Sequence, residues 1–423
     1  MNRQNFEPVR EMISYLLHRG CQVLFLLSIA SFNGSAQTPF EEYNPRFEIF
    51  TLPGGTLGNN VNSIVQDSIG FVWFGSHGGL HRYDGHRINT FKHDPRDTTS
   101  ISVSYIEWLY VDREGKLWVG TYGGGVNLFN HGDETFTHYM FDPDNSNTIS
   151  HDYVQMISED TLGNIWIATS EGLNRFDPST EKFDRFMFDP NDPNSISDDF
   201  VRCIYVDSEG TVWAGTGNPF DIQSTSGGLN RYVPESKSFV RYLQQSGSNS
   251  SLSDHKIRAI YEDASGNFWV GSANYGLHLM DRSTETFERY LSDPDDPGRL
   301  SAPHPADGLD DPTGHVTFIR EDLDGRLWIG AWRGGLNIYD PESNLTKHFE
   351  PVDEDLKTAP NYFMWQMCQT RDGSIWLATA GGGKEVIKID QGRQFLNYQN
   401  LEVDGSVRGG LITIGKILGG NCG

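Results

Sequence analysis

Four aromatic residues, Tyr122, Phe220, Tyr275 and Trp332, and three polar ones, Asp221, Asn274 and Arg333, follow shortly after Trp-x-Gly triplets in this 423-residue chain. Aromatic faces stack on the C–H surface of a sugar ring, while amide, carboxylate and guanidinium groups bond its hydroxyls. Hydrolysis of a glycan would instead need two carboxylates facing one cavity. Asp221 and Glu171 are the acids at such positions, and no motif joins them. The sequence offers no nucleophile motif, metal-ligand cluster or phosphate loop, so the expectation is binding without catalysis, cofactor or metal.

These residues share an address because the chain repeats. A tryptophan recurs seven times, as Trp73, Trp118, Trp166, Trp213, Trp269, Trp328 and Trp376, with gaps of 45, 48, 47, 56, 59 and 48 residues. Each lies three residues after a glycine. In six repeats an aspartate stands three residues before that glycine (Asp67 in the first), whereas the seventh has Thr370. A period in the forties, with several short β runs per unit, marks a β-propeller with one four-stranded blade per repeat. The expected fold is therefore all-β, a seven-bladed β-propeller with four antiparallel strands in each blade.

Residues 154–188 show the unit: V-Q-M-I-S-E-D, I-W-I-A-T, L-N-R-F-D and K-F-D-R-F-M-F read as strands, separated by Gly, Ser, Pro and Asp turns. An aspartate accepts bonds from amides two residues on, and glycine takes the positive φ that closes the hairpin. Blades packed face to face bury both faces of their inner strands, which explains apolar residues flanking each tryptophan. The frame is thus committed to packing, and function is expected in the loops. The loop from second to third strand shares a face with the blade-to-blade connection and lies near the central channel. Its residues vary: His77, Tyr122, Glu171, the insertion 217–226, Asn274 with Tyr275, and Trp332 with Arg333.

A net charge of −24 opposes binding to nucleic acid or to an anionic membrane, since phosphate contact needs a basic face. Near the N-terminus, Arg3, Arg10 and Arg19 precede the apolar run 21–32, and G-S-A offers cleavage after Ala36. Residues 1–36 therefore read as a signal peptide, longer than usual, and the location as periplasmic. Cys203 and Cys368 fall on first strands nearly opposite each other across the channel, too far apart to bridge. Asp94-Pro95, Asp142-Pro143, Asp189-Pro190 and Asp293-Pro294 suggest calcium loops, but they lack the D-x-D-x-D-G spacing and closing glutamate and read as turns.

The stretch 61–85, V-N-S-I-V-Q-D-S-I-G-F-V-W-F-G-S-H-G-G-L-H-R-Y-D-G, resembles the two-component regulator propeller repeat. So do 154–177 and 316–340, and the resemblance spans about 47–400 with Ala168, Ala378 and Thr370 as departures. It implies the extracytoplasmic sensor half of hybrid two-component histidine kinases, which sense polysaccharide breakdown products and control the genes for their use. It also implies an oligosaccharide ligand and, in a full-length protein, a second propeller and kinase domains as partners, with a homodimer open as an arrangement.

Strand counting adds a closure. F-E-I-F-T-L (47–52) has the spacing of a fourth strand, and F-L-N-Y (395–398) would be a surplus one. If 47–52 completes the seventh blade, 395–398 is free to begin another propeller. The reading is a sensor propeller over 47–400 and an irregular tail over 401–423, broken off near residue 403. Two other classes compete: a carbohydrate-active propeller enzyme, lyase or hydrolase, and a protein-interaction scaffold.

Overall fold

The computed structural model describes residues 40, 43, 45–52, 60–221, 223–273, 276–291, 298–300, 315–332, 335–349, 363–380 and 386–390. Among them it places 28 strands and no α-helix. The strands form seven antiparallel groups of four, at 61–91, 106–139, 154–186, 201–242, 257–290, 315–349, and 363–390 with Arg46–Phe50. These are blades one to seven. A single pairing, Trp332 with Phe363, joins the sixth and seventh into one eight-stranded sheet.

The first strand of each blade touches the first strand of the next, and Val61–Gln66 touches Phe363–Gln369, so seven inner strands close a ring. Arg46–Phe50 pairs antiparallel with Val386–Asp390, Ile49 opposite Ile387, as the outermost strand of blade seven. The last blade is thus completed by the first of the described strands, as the strand count predicts. The surplus strand expected at 395–398, the signal peptide and the tail lie outside the described residues.

Each repeat motif has a local cause. Asp112 Oδ1 accepts from Lys116 N at 2.8 Å, while Gly115 N donates to the Asp112 carbonyl at 2.9 Å, closing the hairpin before the tryptophan. Gly115 sits at φ +83°, a left-handed conformation that other residues adopt only under strain. The second strand that follows, such as Leu117–Thr121, is buried at all five positions.

Hydrophobic contact is concentrated between blades. Trp73 of blade one packs with Ile106, Leu117 and Phe129 of blade two, and seven such clusters occupy the seven blade junctions. The Trp-x-Gly glycine serves the same contact. A Cβ on Gly120 would lie 2.6 Å from Val154 Cγ1 of the next blade, so the inner strands could not approach as closely. Ala168 and Ala378 fill that position with fully buried methyl groups.

The Asp-Pro segments are turns: Asp94 Oδ1 accepts from Arg96 N at 3.0 Å, Asp142 Oδ1 from Asp144 N at 2.9 Å, and Asp189 Oδ1 from Asn191 N at 2.8 Å. Asp293-Pro294 is not among the described residues. Cys203 and Cys368 lie on the first strands of blades four and seven as free thiols.

Candidate functional site

Every first strand carries a β-bulge near its start, where the register slips by one residue. The bulged residues are Asn62, Glu107, Gln155, Arg202, Arg258, Thr317 and Trp365 in blades one to seven. A bulge re-aims one side chain out of the ladder. Repeated seven times, it builds a collar in the channel. Five of the seven residues line one cavity of about 650 Å³, together with loop residues above them.

The collar is a linked polar network over most of its circumference. Asn62 Nδ2 donates to the Ile106 carbonyl at 3.0 Å and to Glu107 Oε2 at 3.1 Å. Arg202 Nη1 donates to Glu107 Oε1 at 3.2 Å and to Gln155 Oε1 at 2.7 Å, and Gln155 Nε2 donates to Ser170 Oγ at 3.1 Å. Burial raises the pKa of Glu107, and the Arg202 guanidinium opposes that shift. Glu107 is the single carboxylate among the described residues lining this cavity.

Two aromatic walls rise from the collar. On one side His77, Tyr105, Tyr122 and Tyr153 form a row, with successive ring centroids 3.9, 5.0 and 4.2 Å apart. Burial lowers the pKa of His77, which keeps the ring neutral. Tyr122 is 43% exposed, so the row presents its face to solvent. On the other side Phe220 meets Trp332 edge-on at 5.4 Å, Trp332 meets Phe363 at 5.5 Å, and Phe363 meets Trp365 at 6.0 Å.

The predicted loop residues divide accordingly. Tyr122, Phe220 and Trp332 all line the cavity, on second-to-third strand loops or at the strand end leading into one. Asp221 stands beside it: its Oδ1 accepts from Gln223 N at 3.0 Å and Ser224 N at 3.2 Å, and its carbonyl accepts from Lys256 Nζ at 2.5 Å. That carboxylate is used by its own turn. Glu171 is not a lining residue; His151 Nε2 lies 3.9 Å from it. Asn274, Tyr275 and Arg333 lie outside the described residues. Glu107, Arg202, Arg258 and Trp365 stand apart from the expected loop positions, on strands that the repeat pattern assigns wholly to packing. The available signal was a charged or bulky residue inside an apolar inner strand, as in I-E-W-L, V-R-C-I and I-R-A-I.

Among the described residues no group of three His, Cys, Asp or Glu side chains is placed to hold a metal ion. The arrangement offers aromatic faces, amides and a guanidinium around one cavity, a donor set suited to a polyhydroxylated ligand.

Five segments, 55–78, 100–123, 195–218, 251–274 and 358–381, match the model of the two component regulator propeller. A 56-residue stretch is 41% identical to histidine kinase P4 of Formosa agariphila, covering 13% of this chain and 4% of that protein. The extracellular domain of a hybrid two component system from B. thetaiotaomicron superposes with a TM-score of 0.65 at 22% identity, over 82% of this chain and 42% of that one. A virginiamycin B lyase from Staphylococcus aureus, solved with quinupristin, gives 0.57 at 13% identity over 82% of this chain and 99% of that one. The chain thus spans less than half of the signalling proteins it matches, and the one propeller architecture occurs in a signalling domain and in a lyase. The matched segments fall in blades one, two, four, five and seven, so five of the seven blades resemble two component regulator propeller repeats.

Proposed function

We propose that this propeller is the extracytoplasmic ligand-sensing domain of a two-component signalling protein, and that the collar cavity receives an oligosaccharide. The observation that carries this reading is the pairing of two aromatic walls, around Tyr122 and Trp332, above one polar collar. Stacking faces and hydroxyl-bonding groups converge there, whereas the frame residues are spent on packing. Periplasmic placement, polysaccharide-linked gene control, and a second propeller with kinase domains as partners belong to the same proposal. It is supported by the repeat family and by the fold shared with a hybrid two component system.

The mechanism is differential binding. A ligand that favours one arrangement of the sensor shifts the population, and a linked kinase reads the shift. No proton transfer is assigned to the cavity: among the described residues Glu107 is the single carboxylate of its lining, and it is bonded to Arg202 and Asn62. Calorimetry against plant, host and algal oligosaccharides is the test. Tyr122→Ala and Trp332→Ala should each weaken the best ligand roughly tenfold. Turnover of a glycan that disappears in Glu107→Gln would instead make the chain an enzyme.

A further inference from the structure

Arg258 breaks the pattern of the collar. It is 3% exposed, yet Nε, Nη1 and Nη2 all lack a hydrogen-bond partner among the described residues. Its guanidinium carbon lies 5.8 Å from the Phe220 ring, 5.7 Å from Trp332 and 5.8 Å from Trp365. Cation–π contact offsets part of the cost of burying a charge, but it leaves the N–H donors unanswered. Neighbouring Arg202 has the opposite situation, with Glu107 and Gln155 as acceptors. The collar therefore holds two guanidiniums and one carboxylate, and that carboxylate is engaged by Arg202 and Asn62. In a chain of net charge −24, this is a local excess of positive charge, and Arg258 carries its share at a buried position.

Burial, reinforced by Arg202 and opposed by Glu107, pulls the Arg258 pKa down to about 9, so the group remains charged at neutral pH. A buried cation with no anion bonded to its N–H groups is costly, and a planar guanidinium is shaped to take a carboxylate or sulfate through two parallel bonds. The three rings around Arg258 also line the cavity, so the cation stands immediately behind the cavity wall. Two of the rings are fixed on strands, Trp332 at the end of Leu327–Trp332 and Trp365 within Phe363–Gln369. Phe220 is on a loop and 56% exposed, so it is the wall that can yield.

We infer that the collar cavity is an anion site: its ligand carries a carboxylate or sulfate group that seats against Arg258, with Phe220 displaced to admit it. This rests on the collar cavity being the ligand site, as proposed above, and narrows the ligand from any oligosaccharide to an acidic one. The neutral walls would stack the sugar faces while Arg258 selects the charge. The bulge itself does not demand an arginine, since the equivalent positions in three other blades hold Asn62, Gln155 and Thr317. A residue that costs stability without a structural partner is what a binding function leaves behind.

The test uses the full chain with four probes at fixed pH and ionic strength: trigalacturonate, its methyl ester, sodium sulfate and sodium chloride. Binding is read by calorimetry and by the melting temperature, in the parent, Arg258→Met and Arg258→Lys. Trigalacturonate should bind roughly tenfold or more tightly than its ester in the parent. Arg258→Met should remove that preference while melting no lower than the parent, and Arg258→Lys should keep part of it. Should Arg258→Met fail to fold, the acid–ester difference in the parent and in Arg258→Lys decides. Stabilisation by sulfate over chloride that depends on Arg258, without sugar binding, keeps the anion site and removes the oligosaccharide. Equal binding of acid and ester, or a preference surviving in Arg258→Met, overturns the anion site and leaves sugar sensing standing. No response to acid, ester or sulfate that depends on Arg258 also overturns it.

Discussion

Trp118 Nε1 donates to Asp112 Oδ2 at 2.8 Å across a six-residue separation. The same pair recurs in blades one and three to six at 2.7 to 2.9 Å. One aspartate therefore closes the hairpin with Oδ1 and satisfies the buried indole with Oδ2. Blade seven has Thr370 instead, and Trp376 Nε1, in a residue 3% exposed, has no partner among the described residues.

The pairing yields the first prediction. Asp112→Ala would strand a buried indole N–H and free the turn amide at once, and should cost about 2–4 kcal/mol, since charge-assisted bonds are the stronger kind. Thr370→Ala removes no indole acceptor and should cost about 1 kcal/mol. Urea midpoints at neutral pH measure both. Equal losses would show that the aspartate matters only as a turn residue.

Trp213 is 2% exposed and packs on Phe268 of the following blade at 4.7 Å. Trp213→Ala should cost about 3–5 kcal/mol, the range for truncating a buried aromatic. A midpoint unchanged from the parent would mean that the blade junction does not depend on the repeat tryptophan.

What the sequence made legible follows from what repeats. The tryptophan, the glycine at positive φ and the alternation of strands and turns recur seven times, so blade number and strand bounds could be read directly; Val154–Glu159 and Ile165–Thr169 fall where V-Q-M-I-S-E-D and I-W-I-A-T place them. That Tyr122, Phe220 and Trp332 share one cavity lining was legible because these positions vary within a constant frame. Arg258 and Glu107 were hidden for the converse reason. Alternation assigns an inner-strand residue to one face or the other, and only a bulge, invisible to that pattern, turns it into the channel. The second role of the aspartate was hidden too, because a six-residue separation reaches across a hairpin rather than along a strand.

Two blades carry histidine where four others carry asparagine on the third strand. His278 Nε2 lies 2.7 Å from Ser253 Oγ, in the place where Asn174 Nδ2 donates to Ser150 Oγ at 2.9 Å in blade three. Both His81 and His278 are buried, and each pKa is lowered from 6.5 to about 4, by burial first and by Lys92 and Arg289 respectively. A depressed histidine is neutral when folded but protonated more readily when unfolded. Its stabilising contribution is therefore complete above pH 6.5 and is lost as pH falls from 6.5 toward 4. The loss should approach roughly 3 kcal/mol for each residue. His278→Asn and His81→Asn supply the residue used elsewhere, so both should fold and show a shallower decline in urea midpoint between pH 7 and pH 4.5. An unchanged slope in both variants would mean that neither histidine is neutral in the folded state.

Closure of the ring can be tested at a single side chain. Phe50, on the outermost strand of blade seven, lies 5.2 Å from the Trp376 ring of its own blade, and 5.7 and 5.0 Å from Phe74 and Tyr83 of blade one. It therefore spans the last junction, where the two ends of the propeller meet, while Arg371 Nη1 donates to the Ser68 carbonyl at 3.0 Å nearby. The adjacent Ile49 pairs with the same strand but is 48% exposed. Both substitutions leave the backbone ladder intact, so their difference isolates the wedge between blades from the strand pairing itself. Phe50→Ala should cost about 3 kcal/mol and Ile49→Ala less than about 1 kcal/mol. Loss of the wedge should also loosen the strand and bare the edge at Val386–Asp390, an unpaired row of amides that invites association. Phe50→Ala should accordingly show faster amide exchange at residues 386–390 and a greater tendency to oligomerise on warming. Exchange at 386–390 that matches the parent, with equal stability losses for the two variants, would show that the ring is held by the inner strands alone.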